Sequence, residues 1–150
     1  MKIPVRHQIA RRKPESGITL IEMMVVVVII ALFAALVGPK MLGQADKAKR
    51  AAAKVQIDNF NNALASYHLA TGSFPSTEQG LNALRVKPEG MEQWDGPYLQ
   101  GDIPQDPWAH PFPYKFPGDH GDEPDIVSLG ADGQPGGEGN NADIASWSSK

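Results

Sequence analysis

The feature that most constrains this chain is an apolar run of twenty residues, from Ile18 to Val37, in which Glu22 is the only charged residue. As an α-helix, twenty residues span about 30 Å, which is the hydrocarbon thickness of a bilayer. The run is rich in β-branched residues, but a lone strand in lipid would leave its backbone unpaired, whereas a helix pairs it internally. We therefore expect a transmembrane helix over residues 18–38.

The carboxylate of Glu22 needs a partner, because a charged side chain at the centre of a membrane helix costs about 2.5–3.5 kcal/mol to insert. A cut after Gly17 would supply one. Ile18 would then carry a free α-amino group, which is largely positive at neutral pH. The amine of one copy can pair with Glu22 of another copy in the membrane. Pairing within one chain, between residues four apart, is the alternative.

A basic leader precedes the apolar run. Its basic residues are Lys2, Arg6, Arg11, Arg12 and Lys13. This leader, the Gly at the cut and the Glu five residues after it resemble the type IV pilin and pseudopilin family, although most relatives have Phe where this chain has Ile18. In that family a prepilin peptidase removes the leader after the Gly and methylates the new amine. The resemblance therefore implies a leader over residues 1–17, with processing and methylation at Gly17 and Ile18 and an assembly role for Glu22.

Two other readings of the N-terminus compete with this one. A secretory signal peptide has an apolar region of about 7–15 residues that ends in an Ala-x-Ala site, whereas this run is longer and carries an acid near its start. An ordinary single-span anchor explains the length of the run. It does not explain Glu22 or the Gly before Ile18.

Gly38 and Pro39 follow the apolar run directly, and Pro39 is the informative residue of the pair. It removes one helical hydrogen bond and its ring crowds the carbonyl group of Ala35, so we expect a kink or local melting there, unless the residue only marks the membrane exit. In the pilin family a Pro at this distance from the cut is typical, and filament packing around it is associated with local unwinding. The resemblance therefore makes Pro39 a second assembly residue.

Residues 39–72 have the pattern of an amphipathic helix that ends at Gly72. Apolar residues recur at alternating steps of four and three and form one stripe. The stripe consists of Ala53, Ile57, Phe60, Leu64 and Tyr67. It must be covered, either by the second half of the chain folding back or by a coiled-coil partner.

Residues 73–150 are expected to form a loop-rich globular part. Ser76 and Gln79 match a capping box, which predicts a short helix over residues 77–85. Strands are expected over residues 111–116 and 125–129, with a turn over 119–122. The predicted fold class is α+β: a long N-terminal helix, transmembrane in its first half and amphipathic in its second, packed against a small antiparallel sheet and a loop-rich C-terminal region.

Composition excludes several classes of function. The chain has no cysteine, so it contains neither a disulfide nor a cysteine-based metal site. Residues 55–150 contain four Lys or Arg against fourteen Asp or Glu, which is unsuited to nucleic acid. Basic residues flank the apolar run on both sides, so charge does not orient it. The resemblance implies an inner-membrane protein with a cytoplasmic N-terminus and a periplasmic C-terminal domain.

Motifs along the second half look like those of the major pseudopilins of type II secretion systems. They are the segments 77–81, 96–99, 106–108, 128–133 and 142–144, together with Trp147. Ala109 stands where that family usually has Gly. The resemblance implies a structural subunit that polymerises with itself into a helical filament and helps to export folded proteins across the outer membrane. Its further implied partners are the prepilin peptidase, minor pseudopilins and the inner-membrane assembly platform.

Two other functions stay open at this point. They are a type IV pilin for adhesion or motility and a monomeric, membrane-anchored binding domain. No nucleophile elbow, phosphate-binding loop or His-Glu-x-x-His motif occurs, so we expect no enzyme. A His/Asp metal site around His110 and His120 is a remote alternative to turn residues. Trp94, Tyr98 and Trp108 are expected to pack in the core.

The segment from Leu129 to Asp143 has no apolar pattern, but it contains three carboxylates, several amides and many glycines. Oxygen donors of this kind suit Ca²⁺, which takes about six to eight oxygens, although a solvated Gly-rich loop is the alternative. Major pseudopilins bind calcium in the corresponding loop. The resemblance therefore implies calcium ligands from the side chains of Asp132 and Asp143 and the carbonyl group of Leu129, with carbonyl groups near Gln134 and Ala145 as further candidates.

Overall fold

The computed structural model of the chain describes residues 17–149, apart from the side chains of residues 38–42 and 149. The predicted leader therefore lies outside the described residues, except for Gly17. The chain divides into two compact units, Met1–Lys40 and Met41–Lys150. Each is described by itself.

The first unit contains the beginning of helix α1, which runs over Leu20–Thr71. Thr19 caps the helix, since its hydroxyl oxygen accepts a hydrogen bond from the backbone N–H of Glu22 at 3.3 Å. The segment Leu20–Val37 is long and apolar enough to cross a membrane, and its side chains are exposed in the single chain. The backbone stays helical through Pro39, so the local melting that we considered there is absent from the single chain. Proline removes only its own N–H bond, which a long helix tolerates.

The second unit is built on the remaining part of α1. All five residues of the predicted stripe are buried, with exposures of 2% or less. Phe60 meets Phe112 edge to face with ring centroids 5.1 Å apart, and Tyr67 meets Tyr98 at 5.5 Å. The second half of the chain therefore covers the stripe, as the first of the two alternatives predicted. Trp94, Tyr98 and Trp108 pack against this core, as predicted.

Both ends of the segment that follows α1 depend on glycine. Gly72 ends the helix with a φ of +81°, and its N–H donates to the carbonyl group of His68 at 2.8 Å. The capping box forms as predicted: the Ser76 N–H donates to Gln79 Oε1 at 2.9 Å, and the Gln79 N–H donates to Ser76 Oγ at 3.3 Å. The short helix predicted after it is present as a 3₁₀ helix over Gly80–Leu84, which buries Leu81 and Leu84 as predicted. It begins three residues later than predicted, at Gly80, which has a φ of +57°.

A small antiparallel sheet completes the second unit, with strands β1 (Tyr114–Lys115), β2 (Asp125–Ser128) and β3 (Ile144–Ala145) in that order. Tyr114 lies opposite Ile126, which confirms the predicted hairpin. Strand β1 is shorter than predicted because Pro111 and Pro113 have no N–H to donate. Strand β3 was not predicted. Two further 3₁₀ helices, Gly139–Asn141 and Ser146–Ser149, flank it.

The turn after Asp106 connects the sheet to the loop before it. Asp106 is buried, and its Oδ1 accepts hydrogen bonds from the backbone N–H groups of Trp108 at 3.0 Å and His110 at 2.8 Å. Its Oδ2 accepts one from the hydroxyl group of Ser128 in β2 at 2.7 Å. Within the turn, Ala109 has a φ of +68°. This is the left-handed region, which favours glycine over a residue with a side chain.

Replacing Ala109 by Gly should stabilise the second unit by up to about 1 kcal/mol, because the left-handed backbone costs a non-glycine residue about that much. Urea unfolding of the full chain in detergent micelles, followed by tryptophan fluorescence, would measure the change. The matched control is Ala52→Gly on the exposed face of α1, which should destabilise by about 1 kcal/mol because Gly is a poor helix former. Equal destabilisation by both substitutions would contradict the strain at Ala109.

Candidate functional sites

The N-terminal site consists of Gly17, Ile18 and Glu22. Gly17 and Ile18 are exposed ahead of the helix, and nothing lies within 4 Å of the position that a side chain on Gly17 would occupy. Among the described residues, nothing packs against a side chain at Gly17, and Ile18 is exposed. Glu22 lies in the first turn of α1, and it forms no ion pair with any described side chain. The site thus presents an exposed Gly17–Ile18 peptide bond ahead of the helix and an acid in the first turn of the helix.

The predicted calcium ligands lie at the two ends of a loop between β2 and β3, which we call the cation loop (residues 129–143). In the β2–β3 pair, Ser128 lies opposite Ile144. Leu129 and Asp143 are the next residues beyond this pair, so the register of the sheet brings them together. Without β3, which the sequence did not reveal, the pattern of residues gave no reason for this proximity.

Asp143 closes the cation loop through Gly136. Its Oδ2 accepts a hydrogen bond from the Gly136 N–H at 2.9 Å, and its own N–H donates to the Gly136 carbonyl group at 3.2 Å. The other carboxylate oxygen, Oδ1, is buried without a hydrogen-bond partner. A buried carboxylate oxygen without a donor is costly. A cation ligated by Oδ1 would remove that cost, so this residue fits the proposed group.

Asp132 lies in the turn that leads away from Leu129. Its Oδ1 accepts a hydrogen bond from the N–H of Gln134 at 3.1 Å, which leaves its second carboxylate oxygen available. Gly130 permits the loop to close, since a side chain on it would lie 2.7 Å from the carbonyl oxygen of Asn141. Among the described residues, no group of three or more His, Cys, Asp or Glu side chains is gathered for a metal. Any hard cation here would rely on backbone carbonyl groups as well as carboxylates.

The two histidines considered as an alternative metal site make separate structural contacts. His110 Nδ1 is 3.1 Å from the Gly130 carbonyl oxygen, beneath the cation loop. His120 stacks on Trp147 with ring centroids 3.7 Å apart, and its Nδ1 lies 2.9 Å from Asp125 Oδ2. Both imidazoles therefore have packing partners.

Asp119, one of the acids near His120, also has a structural partner. Lys115 forms an ion pair with Asp119, and its hydrogen bond lowers the pKa of that carboxyl group.

Two residues of helix α1 make three hydrogen bonds to the cation loop that the sequence did not predict. Arg50 donates hydrogen bonds to the carbonyl groups of Gly139 and Ala142, and the side chain of Asn140 donates one to Asp46. On the sequence both helix residues look like ordinary surface charges. No local spacing links them to residues some 90 positions later, so no sequence signal identified them.

The comparisons with known proteins agree over most of the chain. Residues 12–38 match a family described as the prokaryotic N-terminal methylation motif, and residues 40–147 match one described as type II secretion system (T2SS), protein G. A relative named type II secretion system core protein G, from Pseudomonas aeruginosa, is 46% identical over 91% of this chain and 98% of its own length. The protein of the same name from Vibrio cholerae is 43% identical over 91% of this chain and 94% of its own length.

A solved structure gives the same result. It is the crystal structure of the major pseudopilin from the type 2 secretion system of enterohaemorrhagic Escherichia coli. Its TM-score is 0.60 at 36% sequence identity, with 73% of this chain and 96% of that chain covered. The α+β fold class predicted from the sequence is therefore confirmed.

Proposed function

From the premise that the chain belongs to the type II secretion system protein G family, the major pseudopilins, we propose that an amine–carboxylate pair registers each subunit in its filament. The chain is a structural subunit of the type II secretion pseudopilus, a single-pass membrane-anchored protein and a substrate of prepilin peptidase. These relatives favour the pseudopilus over a type IV pilus, and they are structural subunits rather than known enzymes.

The charge pair follows from the first unit of the molecule. Cleavage after the exposed Gly17 leaves the amine of Ile18 just ahead of α1, whose segment Leu20–Val37 is apolar apart from Glu22. Glu22 forms no ion pair with a described side chain of its own chain, so a neighbouring amine is the partner that makes its burial in lipid acceptable. Removing one member of a buried pair costs about 3–5 kcal/mol. Each added subunit is thereby held at one axial position by one such pair.

The substitutions Glu22→Gln and Glu22→Ala should both abolish the ladder of crosslinked multimers that wild-type protein gives in membranes. Gln keeps the shape of Glu but not its charge. Loss of the ladder in Glu22→Gln would therefore show that assembly requires the charge of Glu22. Met23→Ala is the matched control on the next residue and should leave the ladder intact. N-terminal sequencing should give Ile18 as the first residue in each case. A ladder that persists with Gln, on correctly cut protein, would rule out the charge pair.

The proposed orientation places the N-terminus in the cytoplasm and the second unit in the periplasm. In this arrangement the inner-membrane assembly platform and minor pseudopilins are the further partners of the growing filament. Filament growth, powered by other proteins, pushes folded exoproteins across the outer membrane. The family assignment supports this arrangement, because peptidase cleavage and secretion act at opposite faces of the membrane.

Because the chain has no cysteine, single cysteines can report its orientation directly. A membrane-impermeant maleimide added to cells with a permeabilised outer membrane should label Ser73→Cys after the end of α1. Lys2→Cys in uncut precursor should be labelled only after the inner membrane is broken. The reverse pattern would contradict the proposed topology.

We further propose that the cation loop binds calcium through the side chains of Asp132 and Asp143 and the carbonyl group of Leu129. The buried, unpaired Oδ1 of Asp143 supports this most strongly. When bound, the ion supplies a positive charge and a cross-link to a cysteine-free domain. Leu129 directly follows β2 and Asp143 directly precedes β3. An ion bound to both residues would therefore stiffen this edge of the sheet.

Chelation with EDTA should lower the thermal midpoint of the full chain in detergent micelles, and excess calcium should restore it. Asp143→Asn retains an oxygen that can accept the Gly136 hydrogen bond but removes the charge, so it should abolish the difference between the two conditions. Glu138→Gln, an exposed acid in the same loop, is the control and should keep it. An identical midpoint with and without EDTA in the wild-type protein would refute the site.

A further inference from the structure

Arg50 connects helix α1 to the cation loop across 89 and 92 residues of sequence. Its Nη1 donates hydrogen bonds to the carbonyl oxygen of Gly139 at 3.0 Å and to that of Ala142 at 2.7 Å. Four residues earlier on the helix, Asp46 accepts a hydrogen bond from the side-chain amide of Asn140. The helix therefore holds the last turn of the loop, immediately before Asp143, by three polar contacts.

The loop needs such an external support. Gly136, Gly137 and Gly139 all have positive φ angles, and glycine loses more conformational freedom on ordering than any other residue. The described contacts within this part of the loop are few. They are the Gly136–Asp143 pair and the hydrogen bonds from Ala131 to Asn140 and from Asn141 to Glu138. A guanidinium group is always charged and presents its donors in a rigid fork, which suits it to fixing carbonyl groups.

We propose that Arg50 is a positioning residue for the cation site: it fixes the Gly139 and Ala142 carbonyl groups and thereby the backbone on which Asp143 meets calcium. This inference rests on the proposed calcium binding. Arg50 does not ligate the ion. It acts from outside the ligand set, as the groups that orient metal ligands in other proteins do.

Because Arg50 is charged, the direction in which calcium affinity changes on its removal tests the inference. A positive group beside a cation repels it, so a purely electrostatic role predicts that removing the charge strengthens calcium binding. A positioning role predicts the opposite, because the loop without its support must be ordered when the ion binds. The two effects therefore give shifts in opposite directions.

The experiment is a calcium titration of the full chain in detergent micelles, by competition with a chromophoric chelator. Arg50→Gln should weaken calcium binding by about tenfold or more, the range typical of groups that orient metal ligands. Arg50→Lys keeps the charge with a shorter donor and should recover part of the loss. Lys54→Gln removes a charge from the exposed face one turn further along α1, and it should leave the affinity within about twofold of wild type, as expected for an exposed charge in high dielectric.

Hydrogen exchange gives a second readout. The exchange rates of the Ala131, Asn141 and Asp143 amides should be higher in Arg50→Gln than in wild type before calcium is added. An unchanged or tighter calcium affinity in Arg50→Gln would overturn the inference, even if the thermal midpoint in EDTA fell. Such a fall alone would mean that Arg50 only stabilises the fold. If wild-type protein bound no calcium, the proposed site would fail first, and the role of Arg50 would fail with it.

Discussion

The structure depends on one helix that meets two different demands. The first part of α1 exposes apolar side chains all round, as a helix in lipid requires, whereas the second part buries a single stripe. That stripe, from Ala53 to Tyr67, supplies the largest buried side chains of the second unit. The three strands have only two to four residues each. Sheets this small are not stable alone, so the loops and strands are ordered because the helix gives them a surface to cover.

Features that depend on near neighbours in the sequence were predictable. The stripe follows from helical periodicity, the capping box from residue spacing and the β1–β2 hairpin from a turn between two short strands. The failures have physical causes. The short helix predicted from residue 77 begins only at Gly80, where the backbone is left-handed, and a two-residue strand such as Ile144–Ala145 is too short to show any periodicity. Boundaries and very short elements are set by tertiary contacts that residue patterns do not contain.

The residues of the candidate sites also differ in whether the local sequence or only the tertiary structure identifies them. Gly17, Ile18 and Glu22 form a local motif, so the sequence was sufficient to single them out. Asp132, Asp143 and Leu129 came from composition and family resemblance, and only the β2–β3 register explains why the first and last residues of the loop are close. Arg50 could not be found from the sequence at all. Its importance arises from hydrogen bonds to backbone carbonyl groups, which no side-chain pattern records.

The bonds around Asp106 also determine which sequences this turn can accept. Three donors hold its carboxylate, and the positive φ angle at Ala109 persists because those bonds fix the backbone on both sides of it. With this acid in place, position 109 tolerates a side chain although its backbone is left-handed. Without the acid, an alanine there would keep the cost of that conformation with nothing to hold it. The identity of one residue in the turn therefore limits what another position can accept.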